Sequence, residues 1–345
     1  MKGRDGLTRE RLRGLPKAEL HTHLDGCLRP STLLELAREA GVPLAASTPD
    51  GVADAMLVRH ARDLEEYLQR YVVTVRVMQS SGALARVARE LVEDAAADGI
   101  RYLEVRFCPA LHGPGVTLEG ALEAVLEGLA AGEAATGVMA RVIACGLRTL
   151  PPATSLAIAR AALRYRDAGV VAFDLAGAEA GHPPEAHRDA FRAAGEGGLR
   201  LTCHAGEAAG ADYVRAAVEI CGAERIGHGV RLWEDPELLR ALADQAVPLE
   251  VCLTSNLHTR AVPAVRDHPA AEYLAAGVPI TLNTDSRLMD RTTLTDEYWL
   301  AHTALGLDAA ALAGIARAGF AHAFLPDAAR QALLAEVSPA IEALA

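Results

Sequence analysis

The sequence predicts an α/β fold, a (β/α)8 (TIM) barrel with extra helices inserted after the first strand, and three observations carry that prediction. Eight short β-rich runs alternate with Ala/Leu-rich segments of helical spacing, the pattern of parallel βα units. Polar residues sit at the C-terminal ends of those runs, where a barrel builds its sites from βα loops. The 345 residues suit one domain, 1–345, because a plain barrel needs only about 250 and the surplus allows insertions.

The strands are placed near Ala18–His23, Arg101–Phe107, Arg141–Cys145, Val170–Leu175, Leu199–His204, Arg225–His228, Leu249–Leu253 and Pro279–Thr284. Between the first two, Leu24 to Gly99 is far longer than a simple βα loop. A helical lid insertion over about 27–98 follows from that length. Within it Ala46 to Gly51 reads as a surface loop, and helical patterning resumes over Asp63–Arg70.

Composition narrows the partners. Half of the residues (51%) are hydrophobic, enough for a large core, and no low-complexity tract suggests disorder. A net charge of −11 argues against a nucleic-acid surface, since phosphate binding rests on clustered Lys and Arg, so a small-molecule partner is expected. Lys2 and Lys17 are the only lysines. The six cysteines stand singly with no C-x-x-C pair, as reduced buried thiols do. Met1–Gly14 lacks the apolar stretch of a signal peptide, and no apolar run nears the roughly 18 residues of a membrane span. A cytoplasmic protein is the expectation, with no membrane partner. No feature specifies an oligomeric state.

The first chemical signal is His21-Thr22-His23 at the end of an apolar strand. Residues i and i+2 of a strand share a face, so both imidazoles can reach one ion; two hydrogen-bonded rim histidines would look the same. His204 and Asp285 end two further strands. Three imidazoles and a carboxylate suit one Zn²⁺ per chain with room for a water, whose pKa would fall to about 7. Glu207 follows His204 across Ala205-Gly206 and could protonate a ring nitrogen if burial raises its pKa; alternatively it is an acid favoured by a helix dipole. His228, between Gly227 and Gly229, could orient or deprotonate a nucleophile, or simply be a hydrogen-bonded rim residue. His112 and His258 follow strands as weaker candidates for substrate contacts, while His60, His187, His268 and His322 read as surface or packing residues.

These motifs together resemble the adenosine deaminase family over nearly the whole chain. Pro16–Gly26 is similar to the family's N-terminal metal motif, and Cys203–Glu207 to its H-A-G-E motif. Tyr102–Phe107, Asp174–Gly177, Arg225–Gly229, Cys252–Asn256 and Leu282–Asp285 follow in the family's order. The resemblance implies zinc on His21, His23, His204 and Asp285, with Glu207 protonating purine N1 and His228 supporting the attacking hydroxide. It further implies substrate contacts from Asp25 to a ribose hydroxyl, from the Gly177 N–H to purine N3, and from His23. One position departs: Ser286 stands where the family often has a second acid facing purine N7. Serine can still hydrogen-bond there but lacks the charge.

The implied activity is hydrolytic deamination of adenosine and 2'-deoxyadenosine to the inosines plus ammonia, with a 6-aminopurine nucleoside as partner. Because Ser286 and the lid both touch the substrate, free adenine and aminodeoxyfutalosine, the modified nucleoside of menaquinone synthesis, stay open. A mono- or binuclear amidohydrolase acting on an amide or phosphoester is the alternative of another class, since fold alone does not fix chemistry. A binuclear site commonly uses a bridging carboxylate or carboxylated lysine, and no lysine follows Lys17 to stand at a strand end. A non-catalytic binding protein would have lost a ligand or Glu207, and all are present. The H-x-E and P-C-x-x-C motifs of cytidine-type deaminases are absent at usable spacing.

Overall fold

All eight predicted strands form, and they pair in parallel in sequence order: β1 (Lys17–His23), β2 (Ile100–Phe107), β3 (Met139–Leu147), β4 (Val170–Ala176), β5 (Arg200–Ala205), β6 (Arg225–His228), β7 (Leu249–Val251) and β8 (Ile280–Leu282). A computed structural model describes residues 6–113 and 115–345; Lys2, the start of the charged N-terminal segment and Pro114 lie outside the described residues. The first and last strands meet just beyond β8, where Thr22 bridges Asp285 in parallel. There the His23 N–H donates to the Asp285 carbonyl at 2.8 Å, and the Asp285 N–H to the His21 carbonyl at 3.0 Å. Helices between the strands cover the outside, so the strands read as nearly continuous apolar runs.

β7 and β8 are shorter than the sequence suggests. After Val251 the chain turns at Cys252 into the helix Leu253–His258, which carries part of the site. The long connection holds five helices, Pro30–Ala40, Pro49–Met56, Leu64–Leu68, Tyr71–Val77 and Ser81–Ala97. The expected loop at Ala46–Gly51 is corrected in its second half, because Pro49 opens a helix. Proline fits a first turn, and the Thr48 hydroxyl caps it by accepting from the Gly51 N–H at 3.2 Å. Asp63 caps the next helix in the same way, accepting from the Glu66 N–H at 2.9 Å.

Charges inside the barrel are paired. Arg225, 1% exposed, donates to Glu104 at 2.5 Å and to Glu250 at 2.7 Å, and its guanidinium lies 3.5 Å over the Phe324 ring. Glu104 also accepts from the Phe324 N–H and the Tyr102 hydroxyl. Lys17 donates to the carbonyls of Leu12 and Leu15, at the strand end away from the site residues. Among the described residues no helix is long and apolar enough to cross a membrane.

Removing one partner of a dry ion pair leaves the other uncompensated. Arg225→Met is therefore expected to lower unfolding stability by about 3–5 kcal/mol in urea melts followed by circular dichroism. Wild-type stability in that variant would show that Glu104 and Glu250 do not need the cation.

Candidate active site

Period-2 geometry puts His21 and His23 on one face of β1, with ring centroids 5.5 Å apart. β5 brings His204, whose Nε2 lies 3.1 Å from His23 Nε2. The closure of β8 onto β1 delivers Asp285, with Oδ1 3.6 Å from His21 Nε2 and 3.4 Å from His23 Nε2. Asp285 takes a left-handed φ of 59°, rare for a residue with a side chain, and the Ser255 hydroxyl donates to Oδ2 at 2.6 Å, leaving Oδ1 for the cluster. Gly227, opposite His204 on β6, makes room: a Cβ there would lie 3.0 Å from His21 Cε1 and 3.1 Å from His204 Cα.

Two carboxylates orient the imidazoles from behind. His21 Nδ1 donates to Glu250 at 2.8 Å, and His204 Nδ1 lies 3.0 Å from Asp174. Although burial by itself pushes both carboxyls up, each is held well below its usual range, Glu250 by Arg106 and then Arg225, and Asp174 by His204 and then Arg106. Arg106 reaches Asp174 at 3.0 Å and Glu250 at 2.7 Å. An ionised carboxylate only accepts, so each histidine presents an N–H from Nδ1 to its carboxylate and turns Nε2 toward the cluster. Burial lowers His21 to about 4 and His23 well below its ordinary value, which keeps both rings neutral. His21 Nε2 is buried without a hydrogen-bond partner.

An orphaned lone pair beside two more imidazole nitrogens and a carboxylate oxygen is what a cation site requires, and these residues fit a metal ion. Cys252 also lies within reach of His21 and Asp285, but burial pushes its thiol up, which leaves it protonated and a poor ligand.

Glu207 follows β5 through a turn whose Gly206 has φ 75°, and the turn is clamped by Glu179. That side chain accepts from four backbone N–H groups, of Gly206, Glu207, Ala208 and Ala209, at 2.6 to 3.0 Å. Glu207 Oε1 accepts from Thr259 at 2.8 Å and Asn256 at 3.2 Å, while Oε2 lies 3.6 Å from His228 Nε2. Burial raises the Glu207 carboxyl; His228 and the Thr259 hydroxyl oppose this, and the negative charges of Asp285 and Glu179 reinforce it.

A cavity of about 440 Å³ opens over these groups, lined by Asp25, Gly177, His23, His204, Glu207, His228 and Asp285 from the barrel. Tyr67, Leu68, Tyr71, Val72 and Val75 of the insertion complete an apolar wall. Asp25 faces it with Oδ1 buried and unpartnered, and burial pushes its carboxyl to about 7. Gly177 holds φ 93°, a left-handed turn suited to glycine. His21 sits beneath the cavity, fully buried.

Three placements differ from the sequence reading. Ser286 is fully buried against Gly26, and its hydroxyl bonds that of Tyr71, so Tyr71 stands between it and the cavity, which Ser286 does not line. His112 is held by the Met78 carbonyl and His258 by Asp290, and neither reaches the cavity. His268, read as packing, is buried but bonded to Asn256.

A profile of adenosine deaminases matches residues 16–340. The chain belongs to the adenosine deaminase family. An adenosine deaminase of Mycolicibacterium vanbaalenii is 44% identical over 308 residues, 84% of this chain and 85% of its own length. Among solved structures, an adenine deaminase from Arthrobacter aurescens has a TM-score of 0.88 at 31% identity, covering 95% of this chain and 99% of its own. A zinc-bound amidohydrolase from Burkhoderia ambifaria has a TM-score of 0.89 at 26% identity, covering 99% and 96%. As a member of the adenosine deaminase family the protein is a hydrolytic deaminase.

Several features that shape this deaminase site escaped the sequence reading: Glu179, Glu250 and Thr259, and the roles of Arg106, Asp174 and Asn256. Lone charges inside apolar strands, as in Leu249-Glu250-Val251, were a usable signal, because a buried charge must have a partner. Glu179 and Asn256 carry no such mark.

Glu179→Gln removes a negative charge beside Glu207 and acceptors from its turn. Because Glu179 raises the Glu207 pKa, a reaction that uses the protonated form of Glu207 should have the alkaline limb of its kcat/KM profile moved to lower pH. We expect kcat to fall about 10–100-fold. A pH profile that does not move would separate Glu179 from the ionisation of Glu207.

Proposed function

We propose that the protein is a zinc-dependent adenosine deaminase, converting adenosine and 2'-deoxyadenosine to the corresponding inosines and ammonia. The observation that carries this is a buried carboxyl of raised pKa, Glu207, beside a cluster of three imidazoles and a carboxylate at the floor of an apolar cavity. Borderline-soft nitrogen and hard oxygen donors together favour Zn²⁺. When held by His21, His23, His204 and Asp285, the ion supplies Lewis acidity that activates water near neutral pH.

The protein's own groups do the rest. Glu207, its carboxyl raised by burial, gives its proton to purine N1 as the nucleophile adds at C6, so charge is cancelled where it develops in the transition state. Ammonia leaves and the ring keeps a 6-oxo group. Gly177 lines the cavity, which supports a contact from its backbone to the purine edge, and the unpartnered Asp25 oxygen suits a ribose hydroxyl.

Asp25 also bears on substrate. Free adenine has no hydroxyl to satisfy that oxygen, which favours a nucleoside. The cavity lining includes Asp25, Glu65, Glu207 and Asp285 but neither Lys nor Arg, which disfavours a phosphate and the benzoate of aminodeoxyfutalosine. With Ser286 bonded to Tyr71, any contact to purine N7 falls to the tyrosine side of that pair.

A panel of adenosine, 2'-deoxyadenosine, adenine and aminodeoxyfutalosine, read by ammonia release, should rank the two simple nucleosides first. Turnover of none of them by zinc-loaded protein would end the assignment. Glu207→Gln should lower kcat by about 10²–10⁴-fold while leaving one zinc per chain by metal analysis. Asp25→Ala should raise KM for adenosine by about tenfold, the loss of roughly one charged hydrogen bond, and leave KM for adenine unchanged.

A further inference from the structure

Asn256, on the helix after β7, stands between Glu207 and His228 and is gripped from behind by His268. All four side chains are buried. The directions of their hydrogen bonds follow from one unambiguous donor. The backbone N–H of Ala270 points at His268 Nδ1 at 3.1 Å, and an amide N–H can only donate. His268 Nδ1 therefore bears the lone pair. Burial lowers this ring to about 3, so it is neutral and its single proton sits on Nε2.

That proton has one place to go. His268 Nε2 lies 3.1 Å from Asn256 Oδ1, and the donation turns the amide nitrogen the other way. Nδ2 then reaches His228 Nδ1 at 3.0 Å and Glu207 Oε1 at 3.2 Å, one hydrogen for each. An amide nitrogen donates two hydrogen bonds and accepts none. His228 Nδ1 is thus an acceptor, and the ring proton belongs on Nε2, which borders the cavity 3.6 Å from Glu207 Oε2. On Glu207, Oε1 already accepts from Asn256 and from the Thr259 hydroxyl at 2.8 Å, so the acid proton belongs on Oε2.

We infer that Asn256, its amide oriented by His268, is a positioning residue that assigns both mobile protons of the site, to Oε2 of Glu207 and to Nε2 of His228. His228 then enters the reaction as an N–H donor and not as the base. The consequence for catalysis rests on the deaminase reading of the site, whereas the proton assignment does not depend on it. Reversing the amide would put an acceptor against His228 Nδ1, moving its proton there, and would set one oxygen against another at Glu207.

The test is ¹⁵N NMR of the zinc-loaded full chain labelled at histidine, with the His228 signals identified by their loss in His228→Gln. The inference requires a neutral His228 protonated on Nε2 in the wild type. Asn256→Asp, which keeps the acceptor for His268 and loses the donor, should move that proton to Nδ1. His268→Leu should give mixed His228 tautomers and lower kcat about 10–100-fold with KM within about twofold. His268→Gln retains an N–H donor and should recover most of kcat. A wild-type His228 protonated on Nδ1, or on both nitrogens, overturns the proposal even if His268→Leu cannot be purified folded, as does a His268→Leu protein with unchanged tautomer and kcat. Because the tautomer is read without substrate, failure to deaminate purines would strike the proposed function and leave this result standing.

Discussion

The site depends on one buried guanidinium. Arg106 bridges Asp174 and Glu250, and each carboxylate holds one histidine of the cluster, His204 or His21. Arg106 helps to hold both carboxyls ionised in a dry barrel, together with Arg225 at Glu250 and His204 at Asp174, and an ionised carboxylate only accepts from the imidazole beside it. A single side chain thereby ties together the carboxylates that hold two histidines on opposite strands. The network turns the Nε2 atoms of His21 and His204 toward the cluster, so an ion held there would require little reorganisation of the rings.

Barrel closure supplies what side-chain pairing cannot. Asp285 reaches the cluster because its own N–H and C=O complete the pairing to β1, and the left-handed backbone there aims the carboxylate inward. His228 has the same unusual conformation at φ 65°. Of the five described non-glycine residues with left-handed φ, these two lie in the site, where the surrounding pairing holds the strain in place. The Glu179 clamp acts similarly on Glu207, converting a flexible glycine-containing turn into one whose N–H groups all have an acceptor.

Around this polar floor the cavity is apolar, and the insertion after β1 provides much of that wall through Tyr67, Leu68, Tyr71, Val72 and Val75. Water exclusion raises the carboxyl of Glu207 and strengthens every hydrogen bond that orients it. The extra helices thus supply apolar cover for the cavity as well as contacts to it.

What the sequence by itself determined is local and periodic. Alternation of strand and helix patterns announced eight βα units, the two-residue repeat put His21 and His23 on one face, and strand endings marked His204, His228 and Asp285. The helix at Pro49 was missed because its short run lies among turn-forming residues, and only the Thr48 cap reveals it. Ser286 was read as facing a substrate from its neighbour in the chain, yet its rotamer and the approach of Tyr71 turn it away. Tertiary structure alone decided which donor meets which acceptor: Arg106 finds Glu250 across 144 residues, Glu179 finds the Glu207 N–H across 28, and His268 finds Asn256 across 12. Hydrophobic period is a property of neighbouring residues, whereas a hydrogen bond's direction depends on where distant chain segments end up, and no local pattern records that.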